Sequence, residues 1–114
     1  MGDIEEELVK GIVRNLSRVI ILWILSDKTS SGYGVLKEMR RLTGQHVHPG
    51  VIYPLLYELE NSKYIAGEKV QKGKRQIIYY SITDGGMEIL ERMRSVIQLP
   101  IVSVLQEFLK EETR

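Results

Sequence analysis

Apolar positions in the first quarter of the chain recur at helical intervals. Ile12, Leu16, Val19, Ile20, Trp23 and Ile24 predict a first helix over about residues 5 to 26. "DKTSSGYG" interrupts that pattern, and Ser30 or Ser31 can cap a second helix carrying Val35, Leu36, Met39 and Leu42, with Gly44 as its end. "GQHVHPG" then reads as a short irregular or extended link. In "VIYPLLYELENS" the stripe Ile52, Leu55, Leu56 and Leu59 predicts a third helix, with Tyr53, Tyr57 and Glu58 off the stripe. A proline is tolerated in a helix's first turn but costs about 3 kcal/mol further in, so Pro54 pins the start to residues 49 to 51.

The pattern then changes period. "KYIAGEKVQ" and "QIIYYSIT" are rich in Ile, Val and Tyr and read as two strands of a hairpin, a wing over residues 64–82. Thr83 can cap a following helix with Asp84 near its positive end, although Gly85 and Gly86 weaken the first turn. Leu90, Met93, Ile97, Ile101, Val104 and Phe108, with Leu105 beside them, continue one apolar stripe past Pro100. This implies one kinked helix or two coaxial ones, about 28 residues and roughly 42 Å long. A small domain cannot bury that length, so the surplus surface is expected to meet a second copy of the chain; the alternative is a helix folded back on its own core.

Composition narrows the class. The chain has 114 residues, 43% apolar and 27% charged, which suits one globular domain. It has no cysteine, which excludes disulfides and thiolate chemistry. "VIILWIL", residues 19 to 25, is far shorter than the roughly 20 residues that cross a bilayer. "MGDIEEELVK" is acidic where a leader would be basic, so a cytoplasmic protein without membrane association is expected. Net charge is only +1, yet the segment from Ser62 to Tyr80 holds five basic residues and one acidic one. Within it "QKGKRQ", residues 71–76, is the cationic tip of the hairpin. Such clustering suits a nucleic-acid footprint or a solvated hairpin edge kept soluble by lysine.

Three helices followed by a hairpin with a basic tip is the element order of a winged helix-turn-helix domain, mainly α with a small β-hairpin. In that arrangement the third helix can enter a major groove while Lys69, Lys72, Gly73, Lys74 and Arg75 of the wing meet the adjacent backbone. The residues also carry a family resemblance. "SGYGVLKEM" from residue 31, "HPGVIYPLLYELENSKYI" from 48 and "YYSITDGGMEIL" from 79 together resemble the PadR family of transcriptional regulators, over about residues 8 to 95. The resemblance implies a homodimeric winged-helix repressor, with a DNA-binding part over residues 1–82 and a dimerising helix over 83–114. Its target would be double-stranded DNA with an approximately palindromic operator, and a small aromatic effector is a further candidate partner. The short tail is similar to members with a single C-terminal helix.

Position by position, the resemblance puts His48, Gly50, Val51, Tyr53 and Pro54 at the DNA-facing start of the third helix, with Tyr57 one turn on. For either tyrosine the alternative is packing against the wing with its hydroxyl in water. Leu90, Met93, Ile97, Ile101, Val104, Leu105 and Phe108 become the dimerising stripe. Val51 stands where the family often has Thr, and Tyr57-Glu58 where a basic pair is common. Glu58 would repel phosphate. Either it sits away from the backbone, paired with Lys63 or Arg75, or affinity leans on the wing and on Lys37, Arg40 and Arg41 of the second helix, which an ordinary solvated face would equally display. Trp23 and Phe108 are the aromatic candidates for an effector pocket, Trp23 being otherwise a core residue.

Little supports catalysis or a cofactor. His46 and His48 lack a third ligand at metal spacing, and no phosphate-binding glycine loop or nucleophile motif is present. The main rival is a winged helix that docks on protein, which the near-neutral net charge and Glu58 favour.

Overall fold

The first helix, α1 (Gly2–Asp27), begins earlier than the sequence suggests and only its second half enters the core. A computed structural model describes residues 2–98 and 100–111 of the chain. Ile21, Leu22, Ile24 and Leu25 are buried, whereas Ile4, Leu8, Ile12 and Leu16 are exposed on the protruding first half. Trp23 points off the buried face and is 51% exposed, so it is not the core residue its aliphatic neighbours suggested.

α2 (Gly32–Thr43) starts at Ser31, whose hydroxyl accepts from the Gly34 N–H at 3.0 Å, satisfying one of the orphan donors of the first turn. It ends at Gly44 in the left-handed region, where the Gly44 N–H donates to the Arg40 carbonyl at 2.9 Å. α3 (Pro49–Asn61) is capped by the side chain of His48, with Pro54 in its interior, a little beyond the first turn. Ile52, Leu55, Leu56 and Leu59 are all buried, as the stripe required.

The exit from α3 is sharp. Lys63 has φ 65°, and its N–H donates to the Glu60 carbonyl at 2.9 Å while the Tyr64 N–H donates to Leu59 at 3.0 Å. That pair of bonds is a Schellman motif with lysine where glycine is usual. It turns the chain into β2 (Ile65–Lys72), which pairs antiparallel with β3 (Arg75–Ile82). A two-residue strand missed by the sequence pattern, β1 (Ser30–Ser31), adds to the other side of β3, giving the order β1-β3-β2. Tyr80 in β3 is buried and Ile82 partly so, both packed with the helical core.

Thr83 then does three things at once. Its N–H donates to the Tyr64 carbonyl at 3.0 Å, its hydroxyl donates to the Lys63 carbonyl at 2.7 Å, and the same oxygen accepts from the Gly86 N–H at 3.0 Å. These bonds dock the start of α4 (Asp84–Gln98) against the base of the wing. Gly86 is buried there, and a methyl group on it would collide with the backbone carbonyl of Tyr64 and with Ile82. The two glycines that look unfavourable for a helix start therefore differ: Gly85 has room and Gly86 has none.

The apolar stripe beyond residue 90 divides into two helices, α4 and α5 (Ile101–Lys110), with Pro100 leading into the second. Proline has no N–H to continue the ladder, so the break falls where the sequence places it. Among the described residues α5 buries none of its side chains, which removes the fold-back alternative. Leu90, by contrast, is part of this chain's own core rather than of the surplus surface expected to meet a second copy, and Met93 packs partly against that core. The described chain is elongated, 56 Å along its longest axis against 29 and 28 Å across.

Two outcomes follow for stability. Gly86→Ala is expected to lower the unfolding free energy by about 3 kcal/mol because a backbone carbonyl cannot rotate away, while Gly85→Ala stays within about 0.5 kcal/mol of the parent in urea unfolding. Lys63→Gly relieves the left-handed strain and is expected to raise stability by roughly 0.5–1 kcal/mol in the same assay, net of glycine's extra unfolded-state entropy.

Candidate nucleic-acid interface

With one face of α3 buried, the helix period leaves Gly50, Tyr53, Pro54 and Tyr57 outward, and all four are exposed. Tyr57 is 67% exposed and Tyr53 42%, so neither ring is absorbed into the core. Val51 lies at the edge of this face. His48 Nδ1 accepts from the Gly50 N–H at 3.0 Å, which commits the ring to the tautomer that offers Nε2–H outward. Gly32 makes room for the Tyr53 ring: a Cβ there would come within 2.7 Å of Tyr53 Cε1, near the hydroxyl end of the ring.

The wing tip is the two-residue loop Gly73-Lys74 between the paired Lys72 and Arg75. Gly73 has φ 62° and Lys74 does not share the positive φ, the pattern of a type II′ turn, which matches the twist of the strands. Lys69, Lys72, Lys74 and Arg75 are exposed, and among the described residues none of them lies within ion-pair distance of a carboxylate. Lys72 is not loose, because its ammonium stands 5.5 Å from the centre of the Tyr79 ring, a cation–π arrangement that keeps it near the strand.

Helix and wing meet in one groove. Tyr33, Tyr53, Arg75, Gln76, Ile78 and Tyr80 line a concavity of about 420 Å³, so an α3 tyrosine and a wing arginine face the same space. Tyr33 and Gln76 were not singled out in the sequence, although Tyr33 sits inside the "SGYG" block. Burial above all, then the charge of Glu60 and the neighbouring Tyr53, pushes the Tyr80 phenol above its ordinary value, so it stays a neutral floor to the groove.

The cations of the second helix all have contacts within the chain. Arg40 Nε donates to the Val47 carbonyl at 3.2 Å and so braces the link between α2 and α3. Arg41 is paired with Glu38, and this hydrogen bond holds the Glu38 carboxyl below its usual range. Lys37 lies 5.7 Å from the centre of the Tyr33 ring, which leaves it as the cation of this helix next to the groove. Glu58 pairs with neither Lys63 nor Arg75. Its partner is Arg18 of α1, with Nε at 2.8 Å and Nη2 at 2.6 Å from Oε1.

Elsewhere, Trp23 borders two concavities, one of about 300 Å³ with Asp27, Lys28, Glu38 and Arg41, the other of about 220 Å³ with Val19, Leu90, Arg94 and Ile97. Phe108 lines neither, so within one chain the two aromatic effector candidates do not share a pocket. Ile101, Val104, Leu105 and Phe108 form an open apolar face on α5, joined by Leu109, which the stripe had not included.

Comparison with known proteins agrees with this architecture. The sequence profile of the Transcriptional regulator PadR-like family matches residues 21–92. Transcriptional regulator YqjI of Escherichia coli (strain K12) is 37% identical over 84 residues, covering 72% of this chain but only 39% of its own length. Among solved structures, TA0346 from Thermoplasma acidophilum superposes with a TM-score of 0.80 at 29% identity, covering 90% of this chain and 98% of that one. Bacillus subtilis PadR, solved in complex with operator DNA, shares the fold at a TM-score of 0.60 and 21% identity, over 85% of this chain and 48% of that one. The helix, wing and groove lie within the matched span, and the match covers more than half of the sequence: the chain belongs to the PadR-like family of transcriptional regulators.

Proposed function

We propose that the chain regulates transcription by binding double-stranded DNA, with residues 49–60 in the major groove and the wing tip at 72–75 on the flanking phosphates. The observation that carries this reading is the shared groove, in which Tyr53 of α3 and Arg75 of the wing face one space. Phosphate contacts from Lys69, Lys72, Lys74 and Arg75 supply affinity, and Tyr53, Tyr57 and His48 offer hydroxyl and ring N–H groups to base edges and backbone. That a family relative was solved with operator DNA supports the same reading.

The functional unit in this proposal is a homodimer and a repressor. The support for the dimer is the apolar surface that one chain leaves open: Ile101, Val104, Leu105 and Phe108 on α5, with Ile4, Leu8 and Ile12 on α1. Residues 1–82 then read DNA while 83–114 join the copies. A two-fold dimer presents its pair of α3 helices about one turn of DNA, roughly 34 Å, apart and so selects an approximately palindromic operator. A small aromatic effector entering beside Trp23, between α1 and α4, would relieve repression by shifting one copy against the other.

The test of DNA binding is fluorescence anisotropy of a labelled duplex from upstream of the protein's own gene, titrated at several salt concentrations. Log affinity is expected to fall linearly with log salt, and the variant Lys72→Ala, Lys74→Ala, Arg75→Ala to lose about 0.9 of slope for each phosphate contact removed. Binding that ignores both salt and the wing substitutions would refute the reading. For the dimer, Val104→Glu with Phe108→Glu, both exposed in one chain, is expected to halve the mass seen in sedimentation while the far-ultraviolet dichroism stays that of a folded protomer; an unchanged mass would place the interface elsewhere.

A further inference from the structure

α3 carries an acidic residue on its outward half where DNA would be close, and the structure supplies the means by which that charge is tolerated. Val51, Pro54 and Glu58 follow one another at helical intervals along the edge of α3. Glu58 remains half exposed, so its carboxylate is within the field of any polyanion lying on this face. Its partner comes from 40 residues earlier in the chain. Arg18 Nε and Nη2 both reach Glu58 Oε1, and Arg18 Nη1 donates to Asn15 Oδ1 at 2.8 Å, so the guanidinium is fixed at two points. Arg18 is the better screened of the two side chains, at 27% exposure against 52% for Glu58, so the pair is more than a contact between two freely solvated groups.

We infer that Arg18 is a positioning residue for DNA recognition: it neutralises Glu58 and ties the edge of α3 to α1, the helix whose first half protrudes from the domain. The inference rests on the DNA-binding reading above. Without Arg18, Glu58 stands as an unpaired negative charge on the recognition helix and repels phosphate. Lysine can supply the charge there but not the forked pair of donors, so it restores part of the effect. The pair therefore acts on DNA with opposite signs at its two ends: loss of the arginine harms binding, and loss of the carboxylate does not.

That asymmetry is the test. Full-length wild type, Arg18→Met, Arg18→Lys, Glu58→Gln and the double variant Arg18→Met with Glu58→Gln are titrated into the labelled upstream duplex at low salt, with thermal unfolding of each measured alongside. Arg18→Met is expected to bind roughly three- to tenfold more weakly, Arg18→Lys in between, Glu58→Gln at least as tightly as wild type, and the double variant close to Glu58→Gln. A purely structural bridge would give equal losses for Arg18→Met and Glu58→Gln and no recovery in the double variant, and that result overturns the inference while leaving DNA binding in place. Should Arg18→Met fold poorly, Glu58→Gln alone decides, since weakened binding in a variant as stable as the parent also overturns it. A wild type that does not bind the duplex removes the DNA-binding reading and this inference with it.

Discussion

Ile52, Leu55, Leu56 and Leu59 occupy one face of α3, and their burial against α1 and α2 fixes the rotation of that helix about its own axis. Because the helical period is fixed, turning those four inward turns Gly50, Tyr53, Pro54 and Tyr57 outward. Each fully buried aliphatic side chain is worth about 1.5–3 kcal/mol relative to exposure, so a rotation that exposed this stripe would cost far more than any surface contact could return. The outward face is in this sense a product of the inward one.

The wing depends on the same core through a shorter chain of constraints. Lys63 in the left-handed region turns the backbone out of α3, and Thr83 ties the returning strand to the residues where the turn began. Gly86 then lets α4 close onto the Tyr64 carbonyl. The hairpin's base is thus clamped from both ends, while its tip is a type II′ turn surrounded by solvent. A rigid base with a charged tip suits a contact in which position is set by the fold and the cations adjust to a phosphate backbone.

Much of this was legible in the sequence because it is local. Ser31, Gly44 and Thr83 announce helix limits through chemistry confined to a few neighbouring residues, and the change of period at residue 63 announces the hairpin. What was not legible depends on contacts between distant segments. β1 is two residues long and has no pattern to detect. The partner of Glu58 is Arg18, 40 positions away on α1, rather than Lys63 or Arg75, which the sequence offered. Trp23 lies in an aliphatic run whose buried face is set by α2 and α3, so its exposure follows from helix rotation rather than from its neighbours. Arg40 and Arg41 looked like a basic face, yet one braces the α2–α3 link and the other is taken by Glu38.

Family membership fits the same physical picture, since the profile match ends within α4, before α5, the helix with no buried residue. All of the buried apolar residues, from Ile21 to Leu90, lie within the matched span, and the described residues of α5 beyond it bury none. The most direct measurement of the central claim is nuclear magnetic resonance of the nitrogen-15 labelled protein titrated with the upstream duplex. Amide shifts are expected to concentrate at His48 to Glu58 and Lys72 to Gln76, with α5 nearly silent. Shifts that spare α3 and the wing and gather on α5 or on the first half of α1 would contradict it.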